Sequence, residues 1–161
     1  MSNISHPIPP LFDKNSRILI LGSFPSVKSR EEGFFYGHKQ NRFWRVISEI
    51  LGYPLPSTVG EKKKMLLSSG IALWDVISSC EIVGSSDSSI KNVMANDLSV
   101  IFDLADIRKI YLNGKTAEKY FDRFFKKTTP VPAVTLPSTS PANAVYRIEG
   151  LIAEWKRILE E

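Results

Sequence analysis

Ile18-Leu19-Ile20-Leu21-Gly22-Ser23-Phe24-Pro25-Ser26 is the stretch on which the reading of this chain turns. Four consecutive Ile and Leu residues stopped by Gly and Pro fit a strand covered on both faces, as in a parallel sheet. In such sheets ligands bind just beyond the carboxyl ends of the strands. The Gly-Ser-Phe-Pro-Ser run therefore falls where a site is expected. A basic loop containing Gly and aromatic residues follows, ending in Tyr36-Gly37-His38-Lys39-Gln40-Asn41-Arg42-Phe43-Trp44. Aromatics, amides and small residues together suit a binding loop better than a plain connector.

Outward from this stretch, three more short apolar runs read as strands. They are residues 71–74 ended by Asp75, residues 108–112 before Asn113-Gly114-Lys115, and residues 131–135, placed at an edge by Pro132. Helices fill the intervals. Asn41 suits an N-cap, with Phe43, Trp44, Ile47, Ile50 and Leu51 at helical spacing behind it and Gly52 as the stop. Further helices are expected over 61–69, from an Asp97 cap to about Leu104, and from Lys115 to Phe125. Residues 76–80 read as a short turn or helix. A long final helix carries Val145, Ile148, Leu151, Ile152, Trp155, Ile158 and Leu159 on one stripe. Strands alternating with helices predict an α/β fold, a three-layer α/β/α sandwich around a central four-stranded parallel sheet. One domain over 1–161 is expected, with 1–16 as an irregular lead-in.

The chain has 161 residues, 43% hydrophobic and 24% charged, ordinary for a soluble globular protein. No apolar run approaches a membrane span, and Met1 to Pro10 lacks the pattern of a secretory signal. The one cysteine, Cys80, excludes an internal disulfide and any four-cysteine metal site. A cytoplasmic monomer without cofactor or metal is the expectation. The net charge of +4 leans toward a polyanionic partner. The Lys62-Lys63-Lys64, Lys126-Lys127 and Lys156-Arg157 clusters read as solvated helix faces.

The four strand ends present Gly22 to Ser26, Asp75, Asn113-Gly114-Lys115 and Leu136-Pro137-Ser138-Thr139-Ser140-Pro141. Small turn residues let backbone N–H groups converge, and hydroxyls add donors for phosphate oxygens. Aromatics at Phe24, Phe34, Phe35 and Tyr36 add faces on which a flat ring stacks. Neither a Gly-x-x-x-x-Gly-Lys-Ser/Thr loop nor Gly-x-Gly-x-x-Gly occurs, which excludes the usual mononucleotide and dinucleotide motifs. There is no metal-ligand spacing and no Gly-x-Ser-x-Gly elbow. The two histidines, His6 and His38, lie far apart.

On these motifs the chain resembles the uracil-DNA glycosylase superfamily, most closely its hypoxanthine-DNA (deoxyinosine) glycosylase branch. Gly22 to Ser26 looks like the branch's first motif. Gly33 to Trp44 is similar to a segment shared with mismatch-specific uracil glycosylases. Asn113-Gly114-Lys115 resembles the third-strand turn of the thymine-DNA glycosylase group, and Leu136 to Ser140 the second, DNA-clamping motif. Two positions depart from the superfamily pattern. Phe24 stands where Asp or Asn often orients the attacking water, and Leu136 where His often opens the second motif.

The resemblance implies a monofunctional DNA glycosylase that flips out a deaminated base, hypoxanthine or uracil, and leaves an abasic site. No lysine stands out as a covalent nucleophile. Asn41 then becomes the candidate for the catalytic amide, aimed at a water or donating to O6 of the base, although it serves equally as a helix cap. Asp75 is the candidate to accept from N1–H of hypoxanthine and to reject adenine, whose N1 is an acceptor; capping the turn at Val76 is its alternative. Ser23, Phe24, Tyr36 and His38 are expected around the base. Pro25, Ser26, Lys115, Pro137, Ser138 and Ser140 are expected at the phosphates, and Pro141, Ala142 and Asn143 are the wedge candidates. A non-catalytic nucleic-acid binder of the same fold and a small-molecule phosphate-binding hydrolase are the competing readings.

Overall fold

The computed structural model describes residues 3–160. At its centre lies a parallel sheet of β2 (Ile18–Gly22), β3 (Ile71–Asp75), β6 (Lys109–Asn113) and β7 (Ala133–Leu136), in the order β3-β2-β6-β7. Leu19 pairs with Ala72 on one side and Ile110 on the other, so the opening apolar run is the inner strand. Leu19, Ile20 and Leu21 are fully buried, as a strand with helices over both faces requires.

Around the sheet run α1 (Val27–Glu32), α2 (Phe43–Leu51), α3 (Val59–Ser68), α4 (Ser99–Phe102), α5 (Lys115–Phe124) and α6 (Ile148–Trp155). The four parallel strands and the flanking helices match the expected sandwich. Phe43 of α2 meets Trp155 of α6 edge to face, with ring centroids 5.9 Å apart. The Trp155 Nε1–H donates to the Pro137 carbonyl at 2.9 Å, which anchors the loop after β7 to the core.

Several elements differ from expectation. A second, antiparallel sheet of β1 (Asn3–Ser5), β4 (Ile77–Glu81) and β5 (Lys91–Ala95) runs in the order β1-β4-β5. The lead-in is thus not wholly irregular: residues 3–5 are a strand, and Leu11 bridges to Leu73. Residues 76–80 are not a turn or helix, because the chain leaving β3 keeps pairing. Val76 N–H donates to Gly22 O and Ile77 N–H to Ser23 O before β4 takes over. In β5 the alternation is too weak to show in sequence.

Helix α2 begins one residue after Arg42, so Asn41 is not its N-cap, although its Oδ1 accepts from Phe43 N–H. Gly52 does close this helix with φ 74. Asp97 Oδ1 accepts from Ser99 N–H, yet α4 covers only 99–102. The final helix is shorter than its stripe suggests. It starts at Ile148 and tightens to a 3-10 turn over Lys156–Leu159, leaving Val145 89% exposed and Leu159 outside the core.

Candidate active site

The carboxyl ends of β2, β3, β6 and β7 surround a cavity of about 260 Å³, the scale of one flat ring rather than a larger ligand. Its wall includes Ser23, Phe24, Pro25, Ser26, Tyr36, His38, Asn41, Asp75, Ser138 and Ser140. Residues from four segments of the chain therefore converge. Lys115 and Pro137 do not line this cavity. They line an adjoining groove of about 620 Å³ that shares Asp87, Ser138, Ser140 and Ala142 with it.

Gly22 makes the deep end. A Cβ there would lie 2.5 Å from Asp75 Oδ1 and 2.9 Å from the Tyr36 hydroxyl, so only glycine lets these two heads approach β2. Asp75, at the end of β3, is 3% exposed. Its Oδ2 lies 2.8 Å from His6 Nε2, and His6 Nδ1 accepts from Ile8 N–H at 3.2 Å. A backbone N–H is donor only, so Nδ1 carries no proton and Nε2–H donates to the carboxylate. One carboxylate oxygen is thereby spoken for; the other faces Gly22 and Tyr36.

Tyr36 has φ 53, a left-handed conformation that costs a bulky residue about 1–3 kcal/mol and gathers at functional sites. One face of its ring stacks on Phe43, with centroids 4.1 Å apart and planes at 22°. Its hydroxyl is buried without a hydrogen-bond partner. Burial, then the Asp75 charge, push its ionisation far above the ordinary tyrosine range, opposed by Asn113. Phe24 packs edge to face on His6, with centroids 5.9 Å apart, and the Arg30 guanidinium lies 5.5 Å from the Phe24 ring centre.

Across the cavity, the loop after β7 is shaped from within. Ser138 Oγ accepts from Ser140 N–H, and Ser140 Oγ accepts from Ala142 N–H, so neither bond uses the hydroxyl proton. Arg42 reaches into this loop and donates to four of its carbonyls, those of Thr139, Ser140, Asn143 and Tyr146. Gly114, at φ 95, lets the turn after β6 abut Ser138, 2.9 Å from where a Cβ would sit.

Sequence reading missed His6, Arg42, Asn113 and Thr139. Asn113 and Thr139 stood inside quoted motifs, but nothing marked their side chains; His6 gave no signal, since its partner is 69 residues away. Cys80 is buried, and burial raises its thiol pKa, which makes it a poor nucleophile. Among the described residues no cluster of His, Cys, Asp and Glu could hold a metal, and no helix is long and apolar enough to cross a membrane.

The family model "Uracil DNA glycosylase superfamily" matches residues 9–159. A hypoxanthine DNA glycosylase of Methanosarcina acetivorans is 34% identical over 157 residues, 96% of this chain and 98% of that protein. One of Methanosarcina barkeri is 36% identical over 114 residues, 70% of this chain and 72% of that protein. A solution NMR structure described as a candidate uracil DNA glycosylase, also from M. acetivorans, superimposes with a TM-score of 0.77 at 31% identity, covering 95% of this chain and 97% of its own.

Proposed function

This chain belongs to the uracil DNA glycosylase superfamily, and on that premise we propose that it hydrolyses the N-glycosidic bond of deoxyinosine in DNA. The observation that carries the reading is the free oxygen of Asp75 at the floor of a cavity sized for one base. Hypoxanthine presents N1–H to an acceptor, whereas adenine would set its N1 lone pair against the carboxylate. Phe24, Tyr36 and His38 enclose the ring. With one face on Phe43, Tyr36 has only its other face and edge to offer.

A base inside a duplex must be extruded first, at a cost of about a few kcal/mol, least for a mismatched pair. Pro25, Ser26, Ser138 and Ser140 line the cavity, and Lys115 and Pro137 the groove beside it, where the flanking phosphates would run. Val145 on that groove is the exposed apolar side chain best suited to fill the gap left in the stack, ahead of Pro141, Ala142 and Asn143. Bond cleavage passes through an oxocarbenium-like sugar and needs donors and charge more than a strong base. Water completes the reaction, with Asn41 as the catalytic amide and no covalent enzyme–DNA stage. Action as a cytoplasmic monomer without cofactor or metal belongs to this reading.

The test is a duplex carrying one deoxyinosine, deoxyuridine or deoxyxanthosine, treated with the protein and then alkali. Strand breaks at deoxyinosine are expected, with no adduct trapped by borohydride. Retention of the duplex without breaks would indicate a non-catalytic binder, and a trapped adduct would exclude the monofunctional route.

A further inference from the structure

Hypoxanthine has a close double among the ordinary bases of DNA. Guanine carries the same N1–H and the same O6, and differs only by an amine on C2. An acceptor for N1–H therefore turns adenine away but does nothing against guanine. A carboxylate with both oxygens free does worse, because it accepts N1–H and an amine N–H together and grips guanine at two points. A site that reads hypoxanthine through Asp75 needs a further device at C2.

The surroundings of Asp75 supply one. His6 Nε2–H donates to Oδ2 at 2.8 Å, and the Asp75 side chain is left 5% exposed, room for one contact rather than two. The imidazole is held on every side. Its Nδ1 accepts from Ile8 N–H, and the His6 backbone N–H donates to Ser78 O at 2.7 Å. Phe24, Phe35 and Trp74 pack round the ring, with centroids 5.9, 6.3 and 6.3 Å away. Phe24 and Phe35 also line the cavity, so the side chains next to His6 on its wall are aromatic and offer no lone pair. On the Oδ1 side, the Tyr36 hydroxyl has no partner in the protein and keeps its proton, which suits it to O6. With O6 toward Tyr36, C2 turns toward the His6 side.

Resting on the glycosylase reading above, we propose that His6 makes this site refuse guanine: it occupies Asp75 Oδ2, so the carboxylate offers a base one acceptor and the C2 amine meets none. His6 does not itself line the cavity, so it is a positioning residue that acts through Asp75. Hypoxanthine, with only hydrogen on C2, sits against the aromatic wall with N1–H and O6 both paired. Guanine buries an unpaired N–H there, which weakens it by about 10- to 100-fold.

Three duplexes test this, each with one purine opposite thymine, a mismatch for all: deoxyinosine, deoxyguanosine and 2-methyldeoxyinosine. The methyl group has much the size of the amine and no N–H. Single-turnover excision by the wild type should be about 100-fold slower for guanine than for hypoxanthine, and about 10-fold faster for the 2-methyl base than for guanine. Guanine released as fast as hypoxanthine overturns the proposal. So does a methyl base refused as strongly as guanine, since size alone would then explain the refusal. His6→Phe keeps a ring in place and frees Oδ2. At about pH 8, where carboxyl groups are ordinarily ionised, its hypoxanthine-to-guanine rate ratio should fall about 10-fold. A ratio equal to that of the wild type overturns the proposal even if both rates have dropped, and the wild-type series decides alone should the variant not fold. A wild type that releases hypoxanthine from no duplex sinks the glycosylase reading itself, an outcome distinct from an active enzyme whose choice between bases ignores His6.

Discussion

His6 Nε2 sits 2.8 Å from Asp75 Oδ2, and both side chains are almost fully enclosed, at 3% and 5% exposure. The segment just after β1 thereby reaches the floor of the cavity and fixes which carboxylate oxygen is left for a ligand. Replacing His6 by Ala removes a charge-assisted hydrogen bond from a buried group. The expected loss is about 2–3 kcal/mol in unfolding free energy, read by urea denaturation, with slower hypoxanthine excision. Unchanged excision would mean that Asp75 is oriented by something else.

Asp75→Asn should be more damaging to the reaction than to the fold. The His6 Nε2–H donor draws the new amide oxygen toward itself, which turns the NH₂ to the cavity and sets it against N1–H of hypoxanthine. A site built for one hydrogen-bond pattern rejects the opposite one strongly, so excision should fall by about 100-fold or more. Single-turnover rates on deoxyinosine decide this, and a rate close to the wild type would remove Asp75 from base reading.

Tyr36 should leave a signature in alkali. An unfolded tyrosine ionises around its ordinary value of 10.0, while burial and Asp75 keep the folded one protonated well beyond it. The folded chain therefore holds the extra proton above that pH. Its contribution is complete below pH 10 and is lost as pH rises, at about 1.4 kcal/mol per unit. Tyr36→Phe removes this dependence, so the variant should gain on the wild type between about pH 10 and pH 11 in denaturant titrations. Near neutrality, deleting an unpartnered buried hydroxyl should cost the fold little. Parallel stability curves for the two proteins would contradict the isolation of this hydroxyl.

Arg42→Lys is not a conservative change here. Guanidinium Nη2 alone donates to the Ser140 and Asn143 carbonyls at 2.7 and 3.0 Å, and a lysine presents one compact charge that cannot span the set. Residues 139–146 should exchange amide hydrogens faster, stability should drop by about 2 kcal/mol, and DNA affinity should weaken. Hydrogen-exchange mass spectrometry reads the loop directly, and unaltered protection there would show that other contacts shape it.

Val145→Ala tests the wedge. A side chain that fills the vacated stack matters only when there is a stack to fill, so excision from duplex DNA should slow several-fold while excision from single strands barely changes. An equal effect on both substrates would take Val145 out of that role.

What the sequence determined by itself was the parallel sheet and the strand ends around which the cavity forms. Runs such as residues 18–21 and 71–74 are wholly apolar because helices cover both faces of their strands, and Gly22, Asp75 and Asn113 mark their ends. That pattern is local and survives in one dimension. The second sheet was not legible: β5 lacks clear alternation, and β4 exists because the chain leaving β3 keeps pairing with the Gly22 loop, which is a property of neighbours in space. The same holds for His6 with Asp75, for Thr139 between Asn41 and Asn113, and for the four carbonyls gathered by Arg42. A hydrogen bond across tens of residues is specified only once both segments are folded, so the tertiary structure alone decided which end of each polar side chain is spent on the fold and which is left for a ligand.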